Sequence, residues 1–450
     1  MTMEIKTMYV WWEQSVRSAF DAYSQIGRPV LDALHVFFQG TFNVLLAITF
    51  ATSLVFLIMT IYTIKKRASK EIVDGSYAPS VTIQIPTFNE LVAIRCAQAC
   101  LEFDYPKDRY EILIGDDSND PKISAKIADF AKEHGIISII KREKNIGYKP
   151  GNLNSMLPHS KGEFIVIFDS DFIPKPDFLK RVVQPFKDDP KVAAVQAKWA
   201  FINSKESMIT VLGSSILNVY HFITLPFLKG RRNMSLLCGS AEAVRKSTLI
   251  ELGSWDSGNL TEDIEYSIRL INKGYRVAYL EDLTCDSEVP HNSFDLYRQQ
   301  MRWGYGVIHS FKKHFKAIYR NKGTSFEDKL CLTIVCSGYL LALLLFALLA
   351  FGTLSIVTHA PAPIEWGKLL SETGRNILLT SGLLIANVVA LKRSKSMGQL
   401  GRMVASSFSY GIIMTYHVNK GIYKALMGRP MEWFMLKKRG NEIQVPTATP

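Results

Sequence analysis

The chain is poor in cysteine, with six thiols (Cys96, Cys100, Cys238, Cys285, Cys331 and Cys336) in 450 residues. None sits in a spacing with histidine that would hold zinc, and two lie inside an apolar stretch. Reduced, packed thiols are expected rather than a disulfide framework or a metal cluster. The amino-terminal end lacks a basic segment followed at once by a short apolar core, so no cleaved secretion signal is expected. Zinc-finger spacings and basic–aromatic RNA-binding runs are also missing, which removes nucleic acid as the reason for a net charge of +12. The long apolar stretches themselves lack charge, whereas a transport path through a bilayer usually needs ionisable groups there.

What is present is 48% hydrophobic content, with basic clusters beside the apolar stretches. These clusters are Lys65, Lys66 and Arg67; Lys392, Arg393 and Lys395; and Lys437, Lys438 and Arg439. Basic flanks mark the cytosolic ends of membrane segments. Thr41 to Ile64 carries no charge and is long enough to span, so residues 41–64 are predicted as a transmembrane helix with the bulk of the chain cytosolic after it. Residues 1–40, with Tyr9, Trp11, Trp12, Arg17 and Phe20, read either as amphipathic helices on a membrane surface or as a soluble extension. Further transmembrane helices are predicted over 330–358 and 376–391, the second returning to the cytosol. Residues 400–426 centre on a short uncharged run, Met403 to Tyr416, with basic flanks on both sides. That pattern fits either an interfacial or re-entrant helix or a further span, before a tail over 427–450. The layout predicts a multi-pass protein of the cell (inner or plasma) membrane.

Between 78 and 320 the pattern changes. Short β-rich runs (SVTIQIPTF, YEILIGDD, GEFIVIFDSD, KVAAVQAKWAF, YRVAYLED) alternate with helical stretches. Runs this apolar predict an α/β domain whose mostly parallel sheet is covered on both faces. Ligands of such sheets sit beyond the carboxyl ends of the strands, so polar residues just after each run matter most.

IPTFNE closes the first run and offers polar turn groups, Thr87 and Glu90 among them. EILIGDDSND puts Asp116 and Asp117 at the next strand end, suited to a base or ribose, or else to capping a helix. NIGYKPGNLN sets Lys149 between two glycines, as a partner for a diphosphate or simply as a solvated lysine. GEFIVIFDSDF delivers Asp169 and Asp171 at i, i+2, pointing the same way if the strand continues. Two hard oxygen ligands on one side suit Mg²⁺ or Mn²⁺ shared with substrate phosphates. In LTEDIEYSIRL, Thr261 is a good helix cap, Glu262 and Asp263 complement the helix dipole, and Asp263 could serve as a general base. YRQQMRWGYG contains Gln299, Arg302 and Trp303, able to clamp a diphosphate and stack on a sugar, or to seat an amphipathic helix at the headgroups.

An Asp pair, then DxD (Asp169, Asp171), then TED (Thr261, Glu262, Asp263), then QxxRW (Gln299, Arg302, Trp303), between membrane segments, resembles the inverting family 2 glycosyltransferases. DDSNDP, GYKPGNLN, VQAKWAFIN and SEVPHNSFDLYRQQMRW are most similar to the cellulose synthase-like, glucomannan-synthesising branch. The resemblance implies a cytosolic GT-A catalytic domain over 78–290, with interfacial helices carrying QxxRW over 291–325. It implies that Asp116 or Asp117, with Thr87, Glu90 and Lys149, contacts the nucleotide. Asp169 and Asp171 would position nucleotide and metal, Asp263 would deprotonate the acceptor hydroxyl, and Glu262, Gln299, Arg302 and Trp303 would border acceptor and diphosphate. The implied activity is hexosyl transfer from a nucleotide-sugar, UDP-glucose first and GDP-mannose or UDP-N-acetylglucosamine next. The product would be a β-linked polymer, or alternatively a glycosylated membrane lipid.

Overall fold

A computed structural model describes residues 2–66, 73–230, 234–360, 363–436 and 438. Arg67, Lys437 and Arg439 of the basic clusters and residues 439–450 of the tail lie outside the described residues. The chain forms two compact units, Met1–Phe56 with Leu341–Leu383, and Leu57–Leu340 with Leu384–Pro450.

In the first unit, helix Thr2–Ala22 passes through a π-helical turn at Tyr23–Gly27 directly into helix Arg28–Lys65. The apolar stretch expected as a helix over 41–64 is thus the later part of a longer helical run that continues from residues 2–40. Two local features make the join possible. The wide turn falls where the Pro29 ring would otherwise meet the carbonyl four residues back, and Arg28 pairs with Asp32 one turn on, at 2.8 Å. Helix Leu340–Thr358 lies against it: His35 Nδ1 is 2.9 Å from the Ser355 carbonyl, and Ser355 Oγ donates to Gln39 at 2.7 Å.

Three described helices are long and apolar enough to cross a membrane: Val10–Lys65, Met208–Gly230 and Leu340–Thr358. The pair Trp366–Leu379 and Gly382–Arg393, bent by 55°, makes a fourth if it counts as one span. Met208–Gly230 is mostly buried inside the second unit, so its apolar surface is explained by protein around it. Two expected segments differ in form. The 330–358 stretch is broken at Ser337–Tyr339, and 376–391 covers parts of both halves of the bent pair. Helix Leu400–Leu426 runs along helix Ser293–Arg320, with the Tyr297 and His417 rings stacked at 5.2 Å. Helix Ser293–Arg320 takes up nearly all of 291–325 as one element.

The second unit is built on a seven-stranded sheet: β1 (Val81–Thr87), β2 (Tyr110–Asp116), β3 (Ile137–Lys141), β4 (Phe164–Ile167), β5 (Val192–Phe201), β6 (Glu242–Arg245) and β7 (Arg276–Ser287), in the order β3-β2-β1-β4-β6-β5-β7. All pairings are parallel except those of β6, which runs antiparallel to β4 and β5. The side-chain period of two sorts each strand between two cores. Ile112 and Ile114 face Ala93, Cys96 and Ala97 of helix Val92–Leu101, while Leu113, Ile165 and Ile167 face Leu153, Met156, Tyr266 and Leu270 on the other side. Each such aliphatic side chain contributes roughly 1.5–3 kcal/mol by leaving water. The six cysteines are free thiols, four of them buried.

Candidate active site

Because β1, β2 and β4 are parallel, their carboxyl ends open on one edge, and the loops that follow them wall a single cleft. Of the expected site residues, Thr87, Glu90, Asp117, Lys149, Asp169, Asp171, Glu262, Asp263, Gln299, Arg302 and Trp303 all line it.

Asp116 does not. It is 1% exposed, accepts the Ser118 amide at 3.0 Å and is bonded by Ser124 Oγ, so it builds the turn after β2. Asp117 faces the cleft and is held through both oxygens by Arg142, with Nε at 2.8 Å from Oδ1. The turn after β1 is fastened to the same region: Asn89, at φ +54°, donates its amide to Ser118 Oγ at 2.9 Å.

The DxD pair departs from strand geometry. β4 ends at Ile167, and a turn closes with the Phe172 amide on the Asp169 carbonyl at 3.0 Å. The i, i+2 alternation is therefore lost, and the two carboxylates face different cations. Asp169 meets Lys149 Nζ at 2.8 Å. Asp171 meets Lys438 Nζ at 2.6 Å and accepts from Ser287 Oγ at 3.1 Å. Burial pushes Asp171 up, but Lys438 together with hydrogen bonds from the backbone and Ser287 outweighs it and holds the carboxyl below its ordinary range.

Lys149 is the hub. It sits in the first turn of helix Tyr148–Met156, after Gly147 at φ +78° and Tyr148 at φ +53°. Its ammonium also reaches Glu262 at 3.1 Å and the Gly239 carbonyl. Burial works against its charge, but Asp169 and then Glu262 outweigh it and hold its pKa above the ordinary lysine range, so it stays charged.

Asp263 lies in the first turn of helix Glu262–Asn272 and is 9% exposed. Burial, then the Glu262 carboxylate, push its pKa up to about 7, against the opposing pull of Lys149, its helix-start amide and Arg302. That value suits a base working near neutrality. Thr261 makes no capping bond; its hydroxyl is 3.4 Å from Ser310 Oγ. Gln299, Arg302 and Trp303 project from helix Ser293–Arg320, where Arg302 donates to the Leu260 carbonyl at 3.3 Å and Gln299 Oε1 has no partner among the described residues.

The cleft also holds residues that motif reading missed. The segment after helix Leu400–Leu426 re-enters it: Trp433 stacks on Tyr148 with ring centres 6.3 Å apart and meets Phe88 edge-on at 5.7 Å. Lys438 reaches Ser170 Oγ at 3.0 Å and Glu90 at 3.2 Å besides Asp171. Burial raises the Glu90 pKa in spite of that ammonium. The aromatic pair in EWFMLKK was the one available signal for this segment.

Such a mostly parallel sheet, with an acid-lined cleft at its carboxyl edge, is the GT-A arrangement of a glycosyltransferase. The chain belongs to the Glycosyltransferase like family 2, whose model matches residues 78–306. Among curated relatives, it is 28% identical over 378 residues to probable glucomannan 4-beta-mannosyltransferase 11 of Arabidopsis thaliana, covering 81% of this chain and 83% of that one. It is 32% identical over 356 residues to glucomannan 4-beta-mannosyltransferase 2 of the same plant, covering 72% and 65%. Among solved structures, the mannosyltransferase PcManGT of Pyrobaculum calidifontis, in complex with GDP-Man and Mn²⁺, shares the fold with a TM-score of 0.61 at 19% identity, covering 87% of this chain and 100% of that one.

Proposed function

We propose that this chain transfers mannosyl units from GDP-mannose to a growing β-linked glycan at a membrane. The observation that carries the reading is Lys149, which couples Asp169 on one side of the cleft to Glu262, next to Asp263, on the other. Donor and acceptor machinery thus meet on one ammonium. The relatives' names favour mannosyl transfer and a guanosine donor over the UDP-glucose ranked first from sequence.

In this reading Asp117, held by Arg142, faces the nucleoside, with Thr87 and Glu90 beside it. Asp263 takes the proton of the acceptor hydroxyl as that oxygen attacks the anomeric carbon in line. The bond to the diphosphate breaks, and an α-linked donor gives a β-glycoside. Lys149 and Arg302 face the leaving diphosphate, while Gln299 and Trp303 border the acceptor.

Asp169 and Asp171 face different ammonium groups, and they are the carboxylates that would hold a divalent cation, Mg²⁺ or Mn²⁺, with donor phosphates supplying further oxygens. Among the described residues no cluster of three or more His, Cys, Asp or Glu side chains could hold a metal without substrate. The Lys438 ammonium on Asp171 already stands in for a cation there. A bound ion would neutralise charge developing on the departing diphosphate. The candidate spans support membrane association; in this reading the protein is multi-pass in the cell membrane with the catalytic unit in the cytosol.

The test is purified protein in nanodiscs with Mn²⁺ or Mg²⁺ and radiolabelled GDP-mannose, UDP-glucose or UDP-N-acetylglucosamine. A high-molecular-weight product from GDP-mannose, cleaved by β-mannanase, is expected. Turnover of a UDP-sugar alone would overturn the donor, and a chloroform-soluble product would move the acceptor to a lipid.

A further inference from the structure

Behind the cleft floor lies an acid that belongs to none of the motifs. Glu242 opens β6, the one strand antiparallel to its neighbours, opposite Ile167 of β4 and Gln196 of β5. An antiparallel strand begins at the edge where the parallel strands end, so its first residue is delivered to the site. Glu242 is 1% exposed and does not line the cleft.

Its Oε2 accepts the Gly239 amide at 2.9 Å. Gly239 in turn offers its carbonyl to Lys149 and is held at φ +88°, a backbone state that favours glycine. A Cβ on Gly239 would stand 3.3 Å from Lys149 Nζ and 3.4 Å from Asp263 Oδ2. The space a side chain would take at Gly239 is thus bordered by both the Lys149 ammonium and the Asp263 carboxyl. Gln196 secures the amides on either side, accepting from Cys238 N at 2.7 Å and donating to the Ser240 carbonyl at 2.9 Å. Glu242 alone fixes the central peptide by a side-chain bond to its N–H.

We propose that Glu242 is a positioning residue for glycosyl transfer: through its bond to the Gly239 amide it sets the Lys149 ammonium between Asp169 and Glu262, and its charge state governs how much negative charge the donor diphosphate meets. The proposal rests on the transferase reading above. Asp169, Glu262, Asp263 and Glu242 crowd two cations, Lys149 and Arg302, so four ionised carboxylates would leave a buried excess of negative charge. Burial, then Asp263, push the Glu242 pKa up to about 8, with Glu262 adding to this and Lys149 and the Gly239 amide opposing it. Cys238 and Tyr266 are the other titratable groups within its field, and both stay neutral because burial raises them. Protonated Glu242 can still accept the Gly239 N–H through its carbonyl oxygen, as an amide would.

The test is GDP·Mn²⁺ affinity, by calorimetry on the full chain in nanodiscs, and kcat/KM for GDP-mannose, both against pH from 6 to 9.5. In the wild type, affinity is expected to fall about tenfold as pH rises through the Glu242 value, when its charge appears. Glu242→Gln should keep wild-type affinity at neutral pH and flatten that alkaline fall to less than threefold. Glu242→Ala, folded by its thermal transition, should lose at least tenfold in kcat/KM at every pH because Gly239 is no longer held. A Glu242→Gln enzyme with the wild-type alkaline fall, or a folded Glu242→Ala enzyme with wild-type kcat/KM, would overturn the proposal. Nucleotide binding without transfer from any donor would overturn the transferase reading alone, since the affinity profile still tests Glu242. Absence of nucleotide binding would overturn both.

Discussion

Lys149 Nζ lies 2.8 Å from a carboxylate oxygen of Asp169, joining the helix after β3 to the turn after β4 across the mouth of the cleft. Two carboxylates, Asp169 and Glu262, pair with that one ammonium, and donor phosphate would compete for it. Lys149→Met is therefore expected to lower kcat/KM for the donor by about 10²–10³-fold, the range for removing a preorganised donor from a developing anion. Steady-state kinetics at saturating acceptor checks this. A variant within threefold of wild type would remove Lys149 from the mechanism.

Asp263 carries two expectations of opposite sign. As a base it must be ionised, so kcat/KM should fall as pH drops through about 7. Asp263→Asn should lose 10²–10⁴-fold or more in turnover while keeping nucleotide affinity. Stability runs the other way. A carboxyl whose pKa is higher folded than unfolded binds its proton more tightly in the native state, so stability is lost as pH rises from its ordinary 3.8 through about 7. At pH 8 the Asn variant should melt higher than wild type, by up to a few kcal/mol in unfolding free energy. At pH 5 the difference should shrink. Thermal denaturation at the two pH values, alongside a pH–rate profile, checks both.

Much of this site could be read from sequence because its strands announce themselves. β1, β2 and β4 are buried runs ending in Thr87, Asp116 and, two residues past Ile167, Asp169; parallel pairing then forces those ends together. What could not be read was decided by contacts between distant residues. Which of Asp116 and Asp117 faces the cleft depends on Ser124 and Arg142. β3 and β6 have five and four residues, too few for a period to show. That the helix runs on ahead of residue 41 was obscured by Arg28 and Asp32, charges that pair at i, i+4. Lys438 is hundreds of positions from the carboxylates it meets, and no local pattern links them.

That lysine makes its own prediction. The ammonium occupies the Asp171 oxygen that a divalent ion would need. Lys438→Ala should lower the Mn²⁺ or Mg²⁺ concentration for half-maximal activity several-fold, and the shift should persist at saturating donor. Lys438→Arg should retain the wild-type cation dependence. Identical metal titrations for wild type and Lys438→Ala would separate Lys438 from the cation.

The helix that carries QxxRW comes close to Thr261 of TED at Gly306, and that contact is testable. A Cβ on Gly306 would overlap the Thr261 side chain, whose Cβ would lie 2.9 Å away. Gly306 lies within helix Ser293–Arg320 and is not at positive φ, so its role is close approach rather than backbone freedom. Gly306→Ala should push that helix away from Thr261 and carry Arg302, one turn earlier, with it. The expected cost is about 1–3 kcal/mol of stability for overpacking, with a ten- to hundredfold fall in kcat. Thr261→Ala removes the hydroxyl and methyl that the new Cβ would strike. The double variant Thr261→Ala/Gly306→Ala should therefore recover part of the stability that Gly306→Ala loses, a non-additive result expected of residues in contact. Recovery of kcat in the same double variant would show that helix approach, rather than the Thr261 hydroxyl itself, sets the placement of Arg302. Strictly additive losses would mean the two elements act independently.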